Sequence, residues 1–214
     1  HNVVIEVLSL SRNSVPQTLD MGGYRVHRAR LDFQIASTGF SASAFRHFAQ
    51  LASTVDVIHY HFPWPFMDLV HFATRINKPT LVTYHSDIIR QKSLLKLYRP
   101  LMRKFLRSVD SIVATSPNYL ATSEVLKDYR DKVSVIPIGL DRDTYPEPDP
   151  ASLEHWGARF GPRFFLFVGV LRYYKGLHIL IEAAQGIDYP IVIVGAGPIE
   201  TELKDQAARL GLHN

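Results

Sequence analysis

The stretch "VDVIHYHFPWPFMDLVHFATRINKPTLVTY" (residues 55–84) carries the pattern that decides the fold. Its two ends, VDVIHY and PTLVTY, are near-continuously apolar and rich in β-branched side chains, which is typical of strands buried on both faces. Between them, residues 64–77 place apolar side chains at helical spacing. A strand, a helix and a second strand in this order predict a βαβ unit, whose two strands lie parallel in one sheet.

The same alternation continues on both sides of this unit. Further apolar runs lie at 3–9, 110–115 and 132–138, and further segments with helical spacing lie at 41–53, 91–107 and 117–128. A stretch with four prolines, residues 140–162, interrupts the pattern, and we interpret it as a hinge with a short helix. The alternation then resumes as strand RFFLFVGV, helix KGLHILIEAAQG, strand YPIVIVGAG and a helix with Pro198 in its first turn. We therefore predict an α/β protein with an N-terminal domain at 1–139, the hinge at 140–162, and a second domain beginning at 163–214.

The second predicted domain contains only two strands. Such a sheet is too narrow to be stable alone and leaves a long exposed edge. The first predicted strand starts abruptly at Val3. We therefore expect these 214 residues to be cut at both ends from a longer two-domain protein.

Composition limits the classes of protein to consider. Apolar residues make up 46% and charged residues 21% of the chain, as in a globular protein with a substantial core. The apolar runs fall short of the roughly 20 residues that cross a bilayer, and no leader-like segment opens the sequence. The absence of cysteine excludes disulfides, thiolate nucleophiles and cysteine zinc sites. A cytoplasmic protein is the simplest interpretation.

Polar or glycine residues close the predicted strands one after another. In open parallel sheets ligands bind beyond the carboxyl ends of the strands, so these residues are expected to face a cleft. They are His59, His61, His85, Ser86, Asp87, Ser116, Gly139, Gly169 and Gly195. A single histidine at a strand end is more often a hydrogen-bonded packing residue. Because polar residues end several successive strands here, a functional site is as well supported as a packing role.

One alternative for the histidines is a metal site. His59 and His61 point to the same side of a strand and could join His85 and Asp87 in a nitrogen and oxygen site of the kind that zinc accepts. Metal-dependent hydrolases of this type need further ligands on later strands. The remaining candidates lie in the hinge, inside a helix and near the C-terminus, at His155, His178 and His213. We therefore predict no metal site and keep a hydrolase using His59, His61 and His85 as the less favoured alternative.

Two glycine-containing loops suggest phosphate binding. GVLRYYKGLHIL (169–180) places Gly169 at a strand end, followed by Arg172, Lys175 and the start of a helix, whose free N–H groups favour an anion. GAGPIE (195–200) gives a second turn, with Gly195 and Gly197, but ends in glutamate where a dinucleotide fingerprint requires glycine or alanine. Two such loops on neighbouring strands fit a nucleoside diphosphate better than NAD, although plain strand-to-helix turns remain the simpler interpretation.

A basic segment covers residues 88–109, which contain no acidic residue. Its cations are Arg90, Lys92, Lys96, Arg99, Arg103, Lys104 and Arg107. Apolar side chains repeat at helical spacing opposite them, and Pro100 is expected to kink the helix. The segment is either a helix packed on the sheet with a solvated basic face or a contact with anionic lipid headgroups. Nucleic acid is disfavoured, since no nucleic-acid motif accompanies the charges.

A series of motifs resembles a known enzyme family. In chain order they are DVIHYHFPWPFMDLV, PTLVTYHSDIIRQ, DSIVATSPNYL, VSVIPIGLD and FLFVGVLRYYKGLHILIEAA...YPIVIVGAGP. Over nearly its whole length the chain resembles the GT-B glycosyltransferases of family 4, in particular the sugar transferases of surface-polysaccharide assembly. The resemblance implies a GT-B fold with two Rossmann-like domains, the second only partly present here. It also implies that the first domain binds an acceptor and that the second holds a nucleotide-sugar donor, GDP- or UDP-linked.

The resemblance also implies roles for individual residues. His85 would reach the donor sugar as the catalytic residue, and Lys175, with Arg172 and Gly169, would contact the donor diphosphate. The loop with Gly195 and Gly197 would contact the nucleotide. The acceptor cleft would be lined by His61, Ser86 and Ser116, with His59 beside them, and Gly139 would belong to the hinge.

Three departures limit this transfer of roles. The family's usual G-R-L reads Gly169-Val170-Leu171 here, so Arg172 would have to replace the missing arginine. The glycine-rich loop after the family's first strand is absent. The paired glutamates that hold the donor would lie beyond Asn214, so these 214 residues alone are expected to be inactive.

The implied reaction is retaining transfer of a hexose, with mannose suggested by similar family members. It would use no metal or other cofactor, and its acceptor would be a glycan or a lipid-linked glycan. The basic helix at 91–107 would provide peripheral contact with the inner membrane face. A sugar-nucleotide epimerase of the same architecture and a non-catalytic binding module remain the alternatives.

Overall fold

The computed structural model describes residues 3–35, 38–88, 92–140 and 145–212, with only the backbone at 92 and 93. The predicted lipid-facing residues Arg90 and Lys92 and the metal candidate His213 therefore lie outside the described side chains. By their internal contacts the residues form two compact units, residues 1–140 and residues 141–214.

The predicted βαβ unit is confirmed in the first of these units. A four-stranded parallel sheet has the order β6 (Ile58–Phe62), β7 (Thr80–Tyr84), β8 (Ser111–Ala114) and β9 (Val133–Val135). Three helices connect the strands: α2 (Pro65–Thr74), α3 (Lys92–Ser108) and α4 (Pro117–Thr122), the last followed by a 3-10 segment at Leu126–Lys132. The predicted helix at 117–128 is therefore shorter than expected, because the chain turns at Ser123.

The segment between residues 10 and 40 contains structure that the apolar pattern did not predict. Strand β1 (Ile5–Ser11) pairs in parallel with β3 (Tyr24–Arg30), which pairs antiparallel with β2 (Thr18–Asp20). A hairpin of β4 (Phe33–Ile35) and β5 (Thr38–Phe40) leads into helix α1 (Ala42–Thr54). Strand β3 reads YRVHRAR and buries fully only one residue, Ala29, so it has no apolar run to recognise.

Strand β6 corrects one prediction. It alternates, with Ile58, Tyr60 and Phe62 buried against the helices, while His59 and His61 are exposed on the other face. Tyr60 packs on Phe105 of α3 at 5.2 Å between ring centroids. Strand β6 is therefore buried on one face only, and among the described residues the face that carries the histidines is left uncovered. Strand β7, inside the sheet, is buried as predicted.

The second unit consists of helix α5 (Pro150–Phe160) and the parallel pair β10 (Phe165–Val168) and β11 (Ile191–Val194), with α6 (Leu177–Ala183) and α7 (Glu200–Arg209). Leu171, Leu177, Ile181 and Leu203 form its small core. Helix α6 begins two residues after Lys175, and α7 begins two residues after Pro198, so both helices start later than the sequence pattern suggests.

Candidate functional site

The three strand-end histidines lie together on the open face of β6 and β7. The Nδ1 atom of His61 is 2.8 Å from Nε2 of His85, and the two rings are 8° from parallel. His59 stacks on His61 at 4.7 Å between centroids, and its Nε2 lies 2.7 Å from the Thr83 hydroxyl. The structure therefore brings together the histidines that the sequence separates by 24 residues.

The surroundings of His59 and His61 favour their neutral rings. Burial lowers the pKa of His59, and the charges that His61 and His85 would carry when protonated lower it further. The pKa of His61 is lowered by burial and by the charge of a protonated His85. Both shifts favour the neutral forms of His59 and His61, which offer hydrogen-bonding nitrogens.

Thr83 belongs to this cluster and was missed in the sequence. It is buried and pairs in register with His61, so its hydroxyl lies beside the histidines. The signal that could have identified it is strand periodicity, because Thr83 and His85 lie two residues apart on one face of the extended chain.

The other predicted residues of the first unit have different surroundings. Ser86 is exposed directly after His85. Asp87 accepts hydrogen bonds from the Tyr84 and Ser123 hydroxyls at 2.8 and 3.0 Å, which ties the strand end to the following segment. The Ser116 hydroxyl caps helix α4 by accepting from the N–H of Tyr119 at 3.1 Å. Asp87 and Ser116 thus have local structural partners, whereas His61, His85 and Ser86 are open to a ligand.

In the second unit, two cations follow strand β10. Arg172 precedes a 3-10 turn at Tyr173–Lys175, and Gly176 then turns the chain into α6 with a left-handed φ of 72°. Lys175 lies over the ring of Tyr174 at 5.4 Å. Within the described part of the chain, neither Arg172 nor Lys175 pairs with a carboxylate. The loop therefore carries two uncompensated positive charges at the carboxyl end of a parallel strand.

The glycines of the two loops allow the backbones to approach closely. A Cβ atom on Gly195 would lie 1.9 Å from the carbonyl oxygen of Gly169, and one on Gly197 would lie 2.2 Å from that of Leu171. The N–H of Leu171 donates to the carbonyl of Ala196 at 3.0 Å, so the two loops are bonded side by side. Packing of the two strand ends alone thus requires glycine at 195 and 197, whether or not a nucleotide binds there.

The second unit also contains a cavity of about 690 Å³. It lies beside α6, α7 and β11 and is lined largely by apolar side chains, including Leu180, Ile191 and Leu203. Arg172 and Lys175 do not line it. An anionic diphosphate therefore matches the strand-end loop and not this cavity.

Metal binding finds no support in the described residues. Across residues 3–35, 38–88, 92–140 and 145–212, no group of three histidine, cysteine or acidic side chains is arranged to hold a metal ion. The ring nitrogens of His61 and His85 contact each other directly. The metal-dependent hydrolase alternative therefore lacks a site in this part of the chain.

The basic helix α3 has two different halves. Its C-terminal half buries Met102, Phe105 and Leu106, whereas Leu94 and Leu97 near its N-terminus are 48% and 82% exposed. Pro100 lies inside the helix without ending it. Within the part of the chain that the structure describes, no helix is both long enough and apolar enough to cross a membrane.

Comparison with known proteins identifies the family. The profile of Glycosyltransferase Family 4 matches residues 2–144, and that of Glycosyl transferases group 1 matches residues 151–214. The chain is 66% identical over 208 residues to D-rhamnosyltransferase WbpZ of Pseudomonas aeruginosa, covering 97% of this chain and 55% of that protein. It is 47% identical over 212 residues to O-antigen chain mannosyltransferase C of Escherichia coli, covering 99% of this chain and 57% of that protein. The chain thus spans about half the length of these curated relatives.

Solved structures with the same fold include GT-B glycosyltransferases. Sucrose-phosphate synthase of Thermosynechococcus elongatus aligns with a TM-score of 0.68 at 16% identity, over 97% of this chain and 58% of that one. HepE of Anabaena, solved with UDP-glucose, aligns with a TM-score of 0.64 at 20% identity, over 88% of this chain and 53% of HepE. These alignments confirm the predicted α/β fold of GT-B type. With two thirds of its residues inside the first profile, the chain belongs to Glycosyltransferase Family 4.

Proposed function

We propose that the full-length protein carrying these residues transfers a hexose from a nucleotide-diphosphate sugar to a glycan or lipid-linked acceptor of O-antigen assembly. The observation that carries this proposal is the loop after β10, where Arg172 and Lys175 stand unpaired among the described residues of a family-matched segment. Mannose is the sugar that we propose. D-rhamnose, the 6-deoxy form of mannose named for the relative from Pseudomonas aeruginosa, is the comparison sugar for the test.

Lys175 and Arg172 are proposed to bind the donor diphosphate. The leaving nucleotide accumulates negative charge as the glycosidic bond breaks, and preorganised cations stabilise that charge. Arg172 stands two residues after Val170, the position at which the family's arginine is missing, and we propose that it compensates. No metal is required in this scheme, because the two side chains supply the positive charge themselves.

His85 is proposed to contact the donor sugar, and His61 and Ser86 to line the acceptor side. These three residues are exposed together at the carboxyl ends of β6 and β7, where ligands of parallel sheets bind. Ser116, also predicted there, is half-buried and caps α4. We propose a retaining reaction, in which a phosphate oxygen of the leaving diphosphate takes the proton of the acceptor hydroxyl on the same face of the sugar.

The basic helix α3 is proposed to hold the protein at an anionic membrane surface. The exposed Leu97 could enter the headgroup region, while Lys96 and Arg99 face the lipid phosphates. A protein working on lipid-linked acceptors gains from this attachment, because it concentrates enzyme and acceptor in one plane.

Turnover by the full-length protein tests the proposal. Purified enzyme would be incubated with GDP-mannose, UDP-mannose and GDP-D-rhamnose, each with and without an O-antigen acceptor, and the glycosylated product and free nucleotide would be quantified. Acceptor-dependent release of one nucleoside diphosphate, with the anomeric configuration kept in the product, is expected. Release of an epimerised donor without acceptor would instead assign the protein to the epimerases. The 214 residues alone, assayed in parallel, are expected to give no product.

A further inference from the structure

We propose that His61 is a positioning residue: through one hydrogen bond it holds the orientation of His85 and couples the tautomers of the two rings, so that the pair presents one N–H donor and one bare nitrogen to a sugar hydroxyl. This inference rests on the proposed glycosyl transfer for its substrate. Its physical basis, the bond between the two rings, can be tested without any activity.

The backbone holds the two rings in place. His61 is the register partner of Thr83, and the N–H of His85 donates to the carbonyl of Phe62 at 3.0 Å, which continues the ladder past the end of β7. On the other side of His61, the ring of His59 stacks at 4.7 Å and is itself bonded to Thr83. The imidazole of His61 is thus held between two neighbouring rings, and its Nδ1 points at Nε2 of His85.

Proton counting gives the consequence of this contact. A neutral imidazole carries one N–H and one bare nitrogen, so one ring must donate across the 2.8 Å contact and the other must accept. If Nδ1 of His61 donates, its outward Nε2 is bare and the outward Nδ1 of His85 carries a proton. If Nε2 of His85 donates, these two roles are reversed. In either arrangement the pair has one outward donor and one outward acceptor.

The outward nitrogens are available to a ligand. Among the described residues, no hydrogen bond involves Nε2 of His61 or Nδ1 of His85, and both side chains are exposed. A hydroxyl group both donates and accepts, and therefore matches a neighbouring acceptor and donor. Burial lowers the pKa of His61, which favours its neutral form. One outward donor beside one outward acceptor suits a sugar hydroxyl better than a phosphate, whose oxygens mainly accept.

Two substitutions separate the inner bond from the outward nitrogen. An asparagine amide reaches the position of Nδ1, whereas a glutamine amide reaches that of Nε2, so His61→Asn can keep the bond to His85 and His61→Gln cannot. In the full-length enzyme we expect kcat of His61→Asn to stay within about 10-fold of wild type, and that of His61→Gln to fall by about 10- to 100-fold. His155→Gln, which changes an exposed histidine of α5, is the matched control and should leave kcat unchanged.

The hydrogen bond at Nε2 of His85 is measured directly by NMR of full-length protein labelled with ¹⁵N-histidine. We expect the nitrogen shift of His85 Nε2 to report a hydrogen-bonded nitrogen in the wild type and in His61→Asn, and a nitrogen without that bond in His61→Gln. An unchanged His85 spectrum in His61→Gln, or a kcat that falls more in His61→Asn than in His61→Gln, would overturn the inference. If the enzyme has no transferase activity but the His85 spectrum still depends on residue 61, the proposed function is refuted and the positioning role is supported.

Discussion

At the scale of single residues, Lys175 is the most direct test of the donor site. Its ammonium group has no carboxylate partner among the described residues, so it is free to bind the leaving diphosphate. Loss of one such contact costs about 3 kcal/mol, and we therefore expect Lys175→Ala to lower kcat/KM of the full-length enzyme about 100-fold. Lys204→Ala removes an exposed lysine from α7 that pairs with Glu200 and should have no such effect. Wild-type turnover in Lys175→Ala would contradict the assignment.

Gly195 tests whether the second glycine loop serves packing. The added methyl of Gly195→Ala would overlap the carbonyl oxygen of Gly169, and the φ of 150° disfavours a side chain as well. We expect a loss of about 2–4 kcal/mol in the free energy of unfolding, measured by denaturant titration. Gly157→Ala lies in helix α5 with no atom within 4 Å of the new methyl, and should be neutral or slightly stabilising. Unchanged stability with lost nucleotide binding in Gly195→Ala would show that the loop contacts the ligand instead.

At the scale of elements, helix α3 is predicted to carry the membrane contact. Each basic side chain near an anionic surface contributes about 1 kcal/mol, so we expect the double variant Lys96→Ala/Arg99→Ala to bind vesicles containing anionic lipid about 30-fold more weakly. Leu97→Gln should weaken vesicle binding too, because it removes an apolar side chain that is available to the lipid. Leu97 is 82% exposed, so the substitution should not disturb the protein core. Sedimentation with vesicles measures both, with Lys127→Ala as the control cation. Equal binding to neutral and anionic vesicles would contradict the proposal.

A buried carboxyl links α3 to α2. Asp68 is 1% exposed, accepts a hydrogen bond from the Tyr98 hydroxyl at 2.5 Å, and has its pKa raised to about 7 by burial. The folded state therefore binds this proton more tightly than the unfolded state, so the stabilisation is complete below about pH 4 and is lost as pH rises through 7. We expect Asp68→Asn to remove this loss, which is on the order of 4 kcal/mol, and to flatten the dependence of the unfolding midpoint on pH between 4 and 8.

Tyr98→Phe is the matched variant for this pair. It removes the described donor to the Asp68 carboxylate, so it should raise the pKa of Asp68 further, and the loss of stability should then extend to higher pH and become larger. If the unfolding midpoint depended on pH in the same way in wild type and Asp68→Asn, the buried Asp68 carboxyl would not titrate over this pH range.

At the scale of the whole molecule, ligand binding should raise stability by mass action. A ligand at 100 times its dissociation constant adds about 2.7 kcal/mol, and we expect one nucleoside diphosphate among GDP, UDP and ADP to raise the melting temperature of the full-length protein. Lys175→Ala should abolish that shift. Stabilisation by NAD or zinc alone would indicate that the glycine loops or the strand-end histidines have a different ligand.

An apolar run in the sequence predicts a strand only where the strand is buried in the fold. The runs at 79–84 and 110–115 predicted β7 and β8 correctly because inner strands are buried and therefore apolar. Strand β3 could not be predicted in this way, since most of YRVHRAR remains at least partly exposed. The exposed face of β6 was also not predicted, because exposure depends on what packs against the strand and not on its own side chains.

The sequence by itself determined the parallel α/β architecture, the basic character of α3, and the placement of histidines, cations and glycines at strand ends. Local periodicity and composition are sufficient for these features. Only the tertiary structure decided that His61 bonds to His85, that Thr83 holds His59, and that Gly195 is needed for contact with Gly169. Each of these is a contact between strands distant in sequence, and strand register, which no local pattern contains, sets which atoms meet.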